Sequence, residues 1–323
     1  MDFDRYSLFF LASALPIYTL GFIAYTVAFV QSIAGVSDNT AGVSSHSGIG
    51  NSPDTRTHNT GVAYGDANKV GTLVKVANLF GKTHKLFRVA TVLSFIGVVL
   101  HGTSVILRGI AAGRVPWANM YEFALTSTFV CVLVFLSVAR KVDLNFLAPF
   151  FFGLIVIFLG SGLTLVYVPI SPLPPALHSY WLIIHILVAI LATGFFMLGA
   201  LLSGLQLSRN VFFAQSRLIP NVDFLENIAY KLNVIGFVFW SFTLVAGAIW
   251  AEKAWGRFWG WDTKEIWTFI IWILYAAYIH ARATAGWRGT RSSVLSLIGF
   301  TTIIFNFTIV NVFFSGLHSY SGL

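Results

Sequence analysis

Eight stretches of largely apolar residues, most of them about 20 residues long, recur along this chain, and at 1.5 Å of helical rise per residue that length crosses ~30 Å of hydrocarbon. They run roughly from Ser7 to Val30, Leu86 to Leu107, Met120 to Ala139, Phe146 to Val168, Trp181 to Leu205, Asn233 to Ala251, Ile266 to Ala281 and Ser292 to Phe314. Only 10% of the 323 residues are charged, against about 25% in soluble chains, so water is not the main solvent. The first run exceeds a signal-peptide core and lacks a cationic leader, since Asp2 and Asp4 flank Arg5, and is read as a retained helix. An all-α integral membrane protein is expected, a bundle of about eight transmembrane helices.

The net charge of +8 suggests a nucleic-acid partner only until its placement is considered. Basic residues lie between the apolar runs, where they orient a membrane protein. Assigning alternate loops to one side collects fourteen Lys and Arg there, leaving Arg5, Arg108, Arg114, Lys253, Arg257 and Lys264 on the other. Both termini are therefore expected to be extracytoplasmic, and no nucleic-acid partner is expected. Three regions are read: residues 1–31 as the first transmembrane helix, 32–84 as a flexible cytoplasmic linker poor in aromatic residues, and 85–323 as a seven-helix membrane domain. The segment from Arg209 to Lys231 mixes Phe212, Phe213, Phe224 and Leu225 with charges, as an interfacial helix or loop would. The single cysteine, Cys131, falls mid-span and excludes an internal disulfide, a dithiol relay and a covalent CxxCH site.

Chemistry concentrates on the expected outer face. Seven of the ten tryptophans lie between Trp240 and Trp272, and the loop at about 250–267 interleaves Trp255, Trp259 and Trp261 with Gly256, Gly260, Asp262 and Glu265. An interfacial aromatic belt would scatter tryptophans over many span ends. Clustered indoles, with glycines that let backbone approach, suit a large flat apolar ligand. A porphyrin is one such ligand, and its iron needs axial donors, for which neutral imidazole is the usual protein group.

His185 stands one helical turn inside the fifth run, ~6 Å beneath Trp181. His318 follows the eighth run on the same side, so the two form a candidate bis-imidazole pair. His178, seven residues before His185 among Pro169, Pro172, Pro174 and Pro175, is the competing ligand. His101 lies in the outer part of the second run without an evident partner, while His280 ends the seventh run near the cytoplasmic side beside Arg282. His46 and His58 fall in the linker and are read as solvated. In the loop Gly113-Arg114-Val-Pro-Trp117-Ala-Asn119-Met120-Tyr121-Glu122, Arg114 either meets an anionic ligand group or fixes the loop.

The run Trp255-Gly256-Arg-Phe-Trp259-Gly-Trp261-Asp262-Thr-Lys-Glu265 resembles the WWD signature of haem-handling proteins, a superfamily holding CcsA (ResC), CcmC and CcmF. The histidine pattern, the Arg114-to-Glu122 loop and the eight spans are similar to CcsA beyond the linker. The resemblance implies haem b as transported ligand, with His185 and His318 as axial ligands and His280 where haem is admitted. It implies a CcsB (ResB)-type membrane partner, an apocytochrome c whose CxxCH thiols receive the haem, and a thiol-reducing pathway protein. The implied role is a subunit of a system II holocytochrome c synthase (haem lyase) that positions haem rather than doing acid/base catalysis. Alternatives are a membrane b-type cytochrome, a CcmC-like haem exporter and a small-solute transporter. The loop wording is similar to bacterial rather than plastid members, so a bacterial cell membrane is expected, with a thylakoid membrane as the alternative.

Overall fold

The structure, a computed structural model, describes residues 2–41, 66–214, 216, 218–284, 286–314 and 316–318. Among these, eight helices are long and apolar enough to span a bilayer: α1 (Phe3–Ala41), α2 (Asp66–Ala112), α3 (Met120–Ala139), α4 (Ala148–Leu165), α5 (Tyr180–Phe212), α6 (Val222–Trp255), α7 (Thr263–Ala283) and α8 (Thr290–Phe313). The chain is a multi-pass membrane protein. The stretch expected as linker is helical at both ends, because α1 runs on to Ala41 and α2 begins at Asp66. His46 and His58 lie outside the described residues. The expected interfacial segment is mostly helix too, since α5 continues to Phe212 and α6 starts at Val222, where Asn221 caps it by accepting from the Phe224 N–H at 2.8 Å.

Helix α5 is the most enclosed, packed against α3, α6 and α8. Its apolar residues are not confined to one stripe, as expected of a helix with neighbours on all sides. Small residues on it let those neighbours close in. Gly194 faces Val134 of α3, and Gly199 meets the Asn233 side chain of α6 so closely that a methyl group there has no room. Around α5, α1 packs on α2 and α4, and α7 bridges α6 to α8.

A charged knot ties one end of the bundle together. Arg108, fully buried near the end of α2, donates to Asp4 of α1 at 2.6 Å, to Glu122 of α3 at 3.1 Å and to the Val168 carbonyl at 2.8 Å. Arg114 also pairs with Glu122, at 2.5 Å. Two guanidiniums and two carboxylates balance, which is what permits a buried arginine here. At the opposite end Glu226 accepts from Arg282 at 3.1 Å and from the Gly289 N–H at 2.8 Å, joining α6, α7 and the start of α8.

Candidate functional site at one end of the bundle

The charged knot fixes the floor of the loop between α2 and α3. Glu122 accepts from Arg114 and from the Ala118 N–H at 3.0 Å, while Asn119 caps α3 through the Glu122 N–H at 2.9 Å. Arg114 is thus committed to its own loop, and Tyr121 is buried beneath Arg108, 5.1 Å from ring centre to guanidinium. The loop so held presents Trp117 and Asn119 to a cavity of about 120 Å³ at the same end.

That cavity is lined by His185, His318, Trp250 and Lys264, and it adjoins a second of about 90 Å³ that shares both histidines and Lys264. His185 and His318 thus line the same two cavities. His185 Nδ1 lies 2.9 Å from the Thr243 carbonyl. A carbonyl only accepts, so Nδ1 carries the proton and Nε2 carries the lone pair. His318 Nδ1 lies 2.7 Å from Asp262 Oδ2, and the same argument places its lone pair on Nε2. Among the described residues each ring hydrogen-bonds through Nδ1 alone, leaving two Nε2 donors uncommitted.

Electrostatics favour this state at the loop. Burial pulls the His318 imidazole below its ordinary range, although the Asp262 carboxylate beside it acts to hold its proton. Asp262 is itself below the ordinary carboxylate range: burial raises it, but the hydrogen bond and charge of His318 and the Leu317 and Lys264 N–H groups outweigh that. Near neutral pH the pair is a neutral imidazole donating Nδ1–H to an ionised carboxylate, the arrangement that raises the basicity of a ligating ring.

The Trp-rich loop is built by its own polar residues. Gly256 ends α6 with φ of 71°, a left-handed turn that suits glycine, and sends the chain across the bundle end. Asp262 and Glu265 form a capping box at the start of α7, with Glu265 Oε2 accepting from the N–H groups of Gly260 at 2.8 Å and Asp262 at 3.1 Å. Between them Trp261 has φ of 60°, a strained conformation for an aromatic residue, and its indole is 70% exposed. Trp261 meets Trp259 edge-on at 5.8 Å, and Trp259 lines the second cavity. Trp255 meets His318 at 4.9 Å and Trp250 at 4.8 Å, both edge-on.

Three participants escaped the sequence reading. Trp250, buried at the end of α6, is stacked over His185 with ring centres 6.0 Å apart and meets His318 edge-on at 5.4 Å, so one indole supports both rings. Gly247, one turn earlier, leaves room for His185, because a methyl group there would stand 2.7 Å from its Cε1. Lys264 lines both cavities from the first turn of α7. Trp250 and Gly247 sit three residues apart on the helix that leads into the Trp loop, a spacing that puts them on one face.

The other candidates lie elsewhere. His178 is exposed and lines a third cavity of about 280 Å³ with Arg114, which adjoins the first through Trp117 and Leu182 but contains neither His185 nor His318. His101 is buried with both nitrogens engaged: Nε2–H donates to the Leu125 carbonyl at 2.9 Å, which leaves Nδ1 to accept from the Tyr18 hydroxyl at 3.4 Å. His280 is exposed on the last turn of α7, sixteen residues and ~24 Å from Lys264 at the far end of the same helix. Cys131 is buried in α3.

Fold and site together define a polytopic helical membrane protein with two imidazoles on the wall of adjoining cavities beside a Trp-rich loop. The sequence profile of the cytochrome C assembly protein family matches residues 117–318. CcsA of Chlamydomonas reinhardtii is 32% identical over 221 residues, 65% of this chain and 62% of that protein, so the chain matches less than two thirds of that relative's length. CcsA of Synechococcus sp. (strain CC9902) is 32% identical over 246 residues, 67% of this chain and 81% of that protein. CcsA of Porphyra purpurea is 30% identical over 284 residues, 74% of this chain and 88% of that protein. The solved structure of the cytochrome c heme lyase CcmF superposes with a TM-score of 0.64 over 95% of this chain and 47% of that chain, at 16% identity, a likeness of fold. The chain belongs to the CcsA family of cytochrome c biogenesis proteins, within the wider cytochrome C assembly family.

Proposed function

We propose that this protein receives haem b from the cytoplasmic side and holds it at the extracytoplasmic end between His185 and His318. There it presents the haem to apocytochrome c for thioether attachment, as the CcsA component of a holocytochrome c synthase. The observation that carries the reading is the shared cavity wall, in which two imidazoles on different elements both keep Nε2 uncommitted while Nδ1 is hydrogen-bonded. Two such donors complete the axial coordination of a porphyrin iron. Trp117 and Trp250 supply the aromatic wall of the first cavity and Trp240 and Trp259 that of the second, Trp255 backs Trp250 and His318 from the end of α6, and Gly256, Asp262 and Glu265 shape the loop that carries Trp259. Trp261, exposed at the loop's crest, faces the incoming protein.

In the attachment step each CxxCH thiol of the client adds across a haem vinyl group: a carbon–sulfur bond forms, the proton goes to the neighbouring carbon, and no oxidant is consumed. The protein contributes position and protection, holding the iron on both faces while vinyl and thiol are aligned. The reacting cysteines must be reduced and come from the client, with a thiol-reducing pathway protein keeping them so, because Cys131 is buried in the bundle. A CcsB-type membrane partner completes the complex. His280, exposed at the far end of α7, forms the point of admission together with a ligand from that partner. The excess of basic residues that the sequence assigns to that side supports a cytoplasmic placement, and a bacterial cell membrane is the proposed location.

Co-expression of the chain with its CcsB-type partner and an apocytochrome bearing CxxCH tests this, reading both co-purified haem and covalent attachment. Haem that binds stably and is never transferred favours electron transfer instead, and a complex that never contains haem favours a solute transporter. Unchanged haem occupancy in His280→Gly removes the admission site from the account.

A further inference from the structure

The first turn of α7 holds a cation where the helix dipole opposes one. A helix N-terminus carries partial positive charge, so basic residues are disfavoured there and acidic ones preferred. Lys264 is the second residue of α7, only partly exposed, and it lines both cavities beside His185 and His318. Its ammonium donates to the Asn311 side-chain carbonyl and lies 5.7 Å from the centre of the Phe307 ring, both residues belonging to the wall of the first cavity. Among the described residues no carboxylate comes within ion-pair distance of it.

The two acidic neighbours on the same turn are spent elsewhere. Asp262 uses Oδ2 on His318 Nδ1 and Oδ1 on the Leu317 N–H. Glu265 uses Oε2 on two loop N–H groups, and its Oε1 faces Arg257 at 3.8 Å. A neutral amide and an aromatic face are therefore what hold this ammonium, and a partly desolvated cation so placed attracts an anion that enters the cavity. Arg114, the cation that the sequence offered for this role, is consumed by Glu122.

We propose that Lys264 is the anchor for a carboxylate of the ligand held between His185 and His318, which on the haem reading above is a propionate. The anchor sets the rotation of the macrocycle about the axis joining the two imidazoles. It thereby decides which edge, the carboxylate edge or the vinyl edge, is turned toward the client. This rests on the haem reading, and the experiment separates the two.

The test uses the haem-depleted complex of the full chain with its membrane partner, titrated by absorbance with ferric protoporphyrin IX and with its dimethyl ester. Wild type is expected to bind the free acid roughly tenfold or more tightly than the ester, the size of one charge-assisted hydrogen bond. Lys264→Met should bring the acid down to the ester's affinity and leave the ester's affinity unchanged, with Lys264→Arg restoring most of the preference. The ester serves as the control for folding. Equal weakening of both ligands in Lys264→Met, or a preference that survives the substitution, overturns the anchor while leaving the paired imidazoles intact. Wild type that binds neither ligand overturns the haem reading itself, and the anchor with it.

Discussion

His101 and His185 are both helix-borne histidines enclosed by aromatic rings, and they end in opposite chemical states. In the α1–α2–α3 region, His101 donates one ring nitrogen to the Leu125 carbonyl, receives the Tyr18 hydroxyl on the other, and is flanked edge-on by Tyr18 and Phe129. In the α5–α6 region, His185 donates to the Thr243 carbonyl, lines the cavity, and has no hydrogen bond on its second nitrogen among the described residues. Burial is thus a poor guide to function, and the second nitrogen is the discriminating one. A ring with both nitrogens satisfied cements helices together, whereas a ring with one satisfied keeps a lone pair that a metal can take.

Removing the open nitrogens gives the largest expected effect. His185→Gly and His318→Gly should each reduce covalent attachment in the co-expressed complex to background, and added imidazole should restore part of it by filling the vacated position. Either variant retaining wild-type attachment breaks the contrast at once. Next comes the group that orients a ligand without touching it. Asp262→Ala leaves His318 in place without its acceptor, and haem affinity should fall roughly 10–100-fold, the usual cost of losing such a partner. Titration of purified complex with haem measures it, and an unaltered affinity would mean that the pair with Asp262 does not tune the ligand.

Gly247→Ala probes the same principle by volume, since the new methyl meets the His185 ring. Overpacking of this kind costs about 1–3 kcal/mol. Here it should appear as a displaced His185 and a weakened low-spin haem signal, with His318-dependent binding retained. The opposite side of the comparison is His101→Phe. That substitution removes two buried hydrogen bonds, so it should lower thermal stability by about 1–3 kcal/mol while the haem spectrum stays as in wild type. A changed spectrum in this variant would dissolve the distinction between cement and ligand.

The smallest effect is one of pH. Burial holds the His318 pKa below its ordinary value, so its neutral, ligating form persists as the pH falls through about 6.5, where a free imidazole takes up its proton. The loss of haem absorbance on acidification should therefore have its midpoint below the free imidazole value of about 6.5. A midpoint at or above the free imidazole value contradicts the assignment of His318 as a neutral donor to Asp262.

Much of this was legible in the sequence, for reasons that can be named. Apolar runs of membrane length gave all eight spans, because hydrocarbon thickness imposes one length and lipid forbids unpaired backbone. What extended past the runs was not legible: the polar ends of α5 and α6, out to Phe212 and back to Val222, are helical through capping and packing on a charged neighbour rather than hydropathy. The depth of His185 and His318 was readable by counting residues. Their orientation was not, since a Thr243 carbonyl is a backbone group that any residue would supply. Trp clustering marked the loop but could not rank its members, and Trp250 touches both histidines while Trp261 projects outward. Arg114 and Lys264 were indistinguishable as cations near the site until packing paired Arg114 with Glu122 and, among the described residues, gave Lys264 an amide rather than a carboxylate.

The central claim is that His185 and His318 bind one iron from opposite sides, and the most direct measurement is electron paramagnetic resonance of the purified ferric complex. The account predicts a low-spin bis-imidazole signal in wild type and in His101→Phe, replaced by a high-spin or imidazole-rescuable signal in both His185→Gly and His318→Gly. A low-spin bis-imidazole signal that survives in either glycine variant without added imidazole contradicts it.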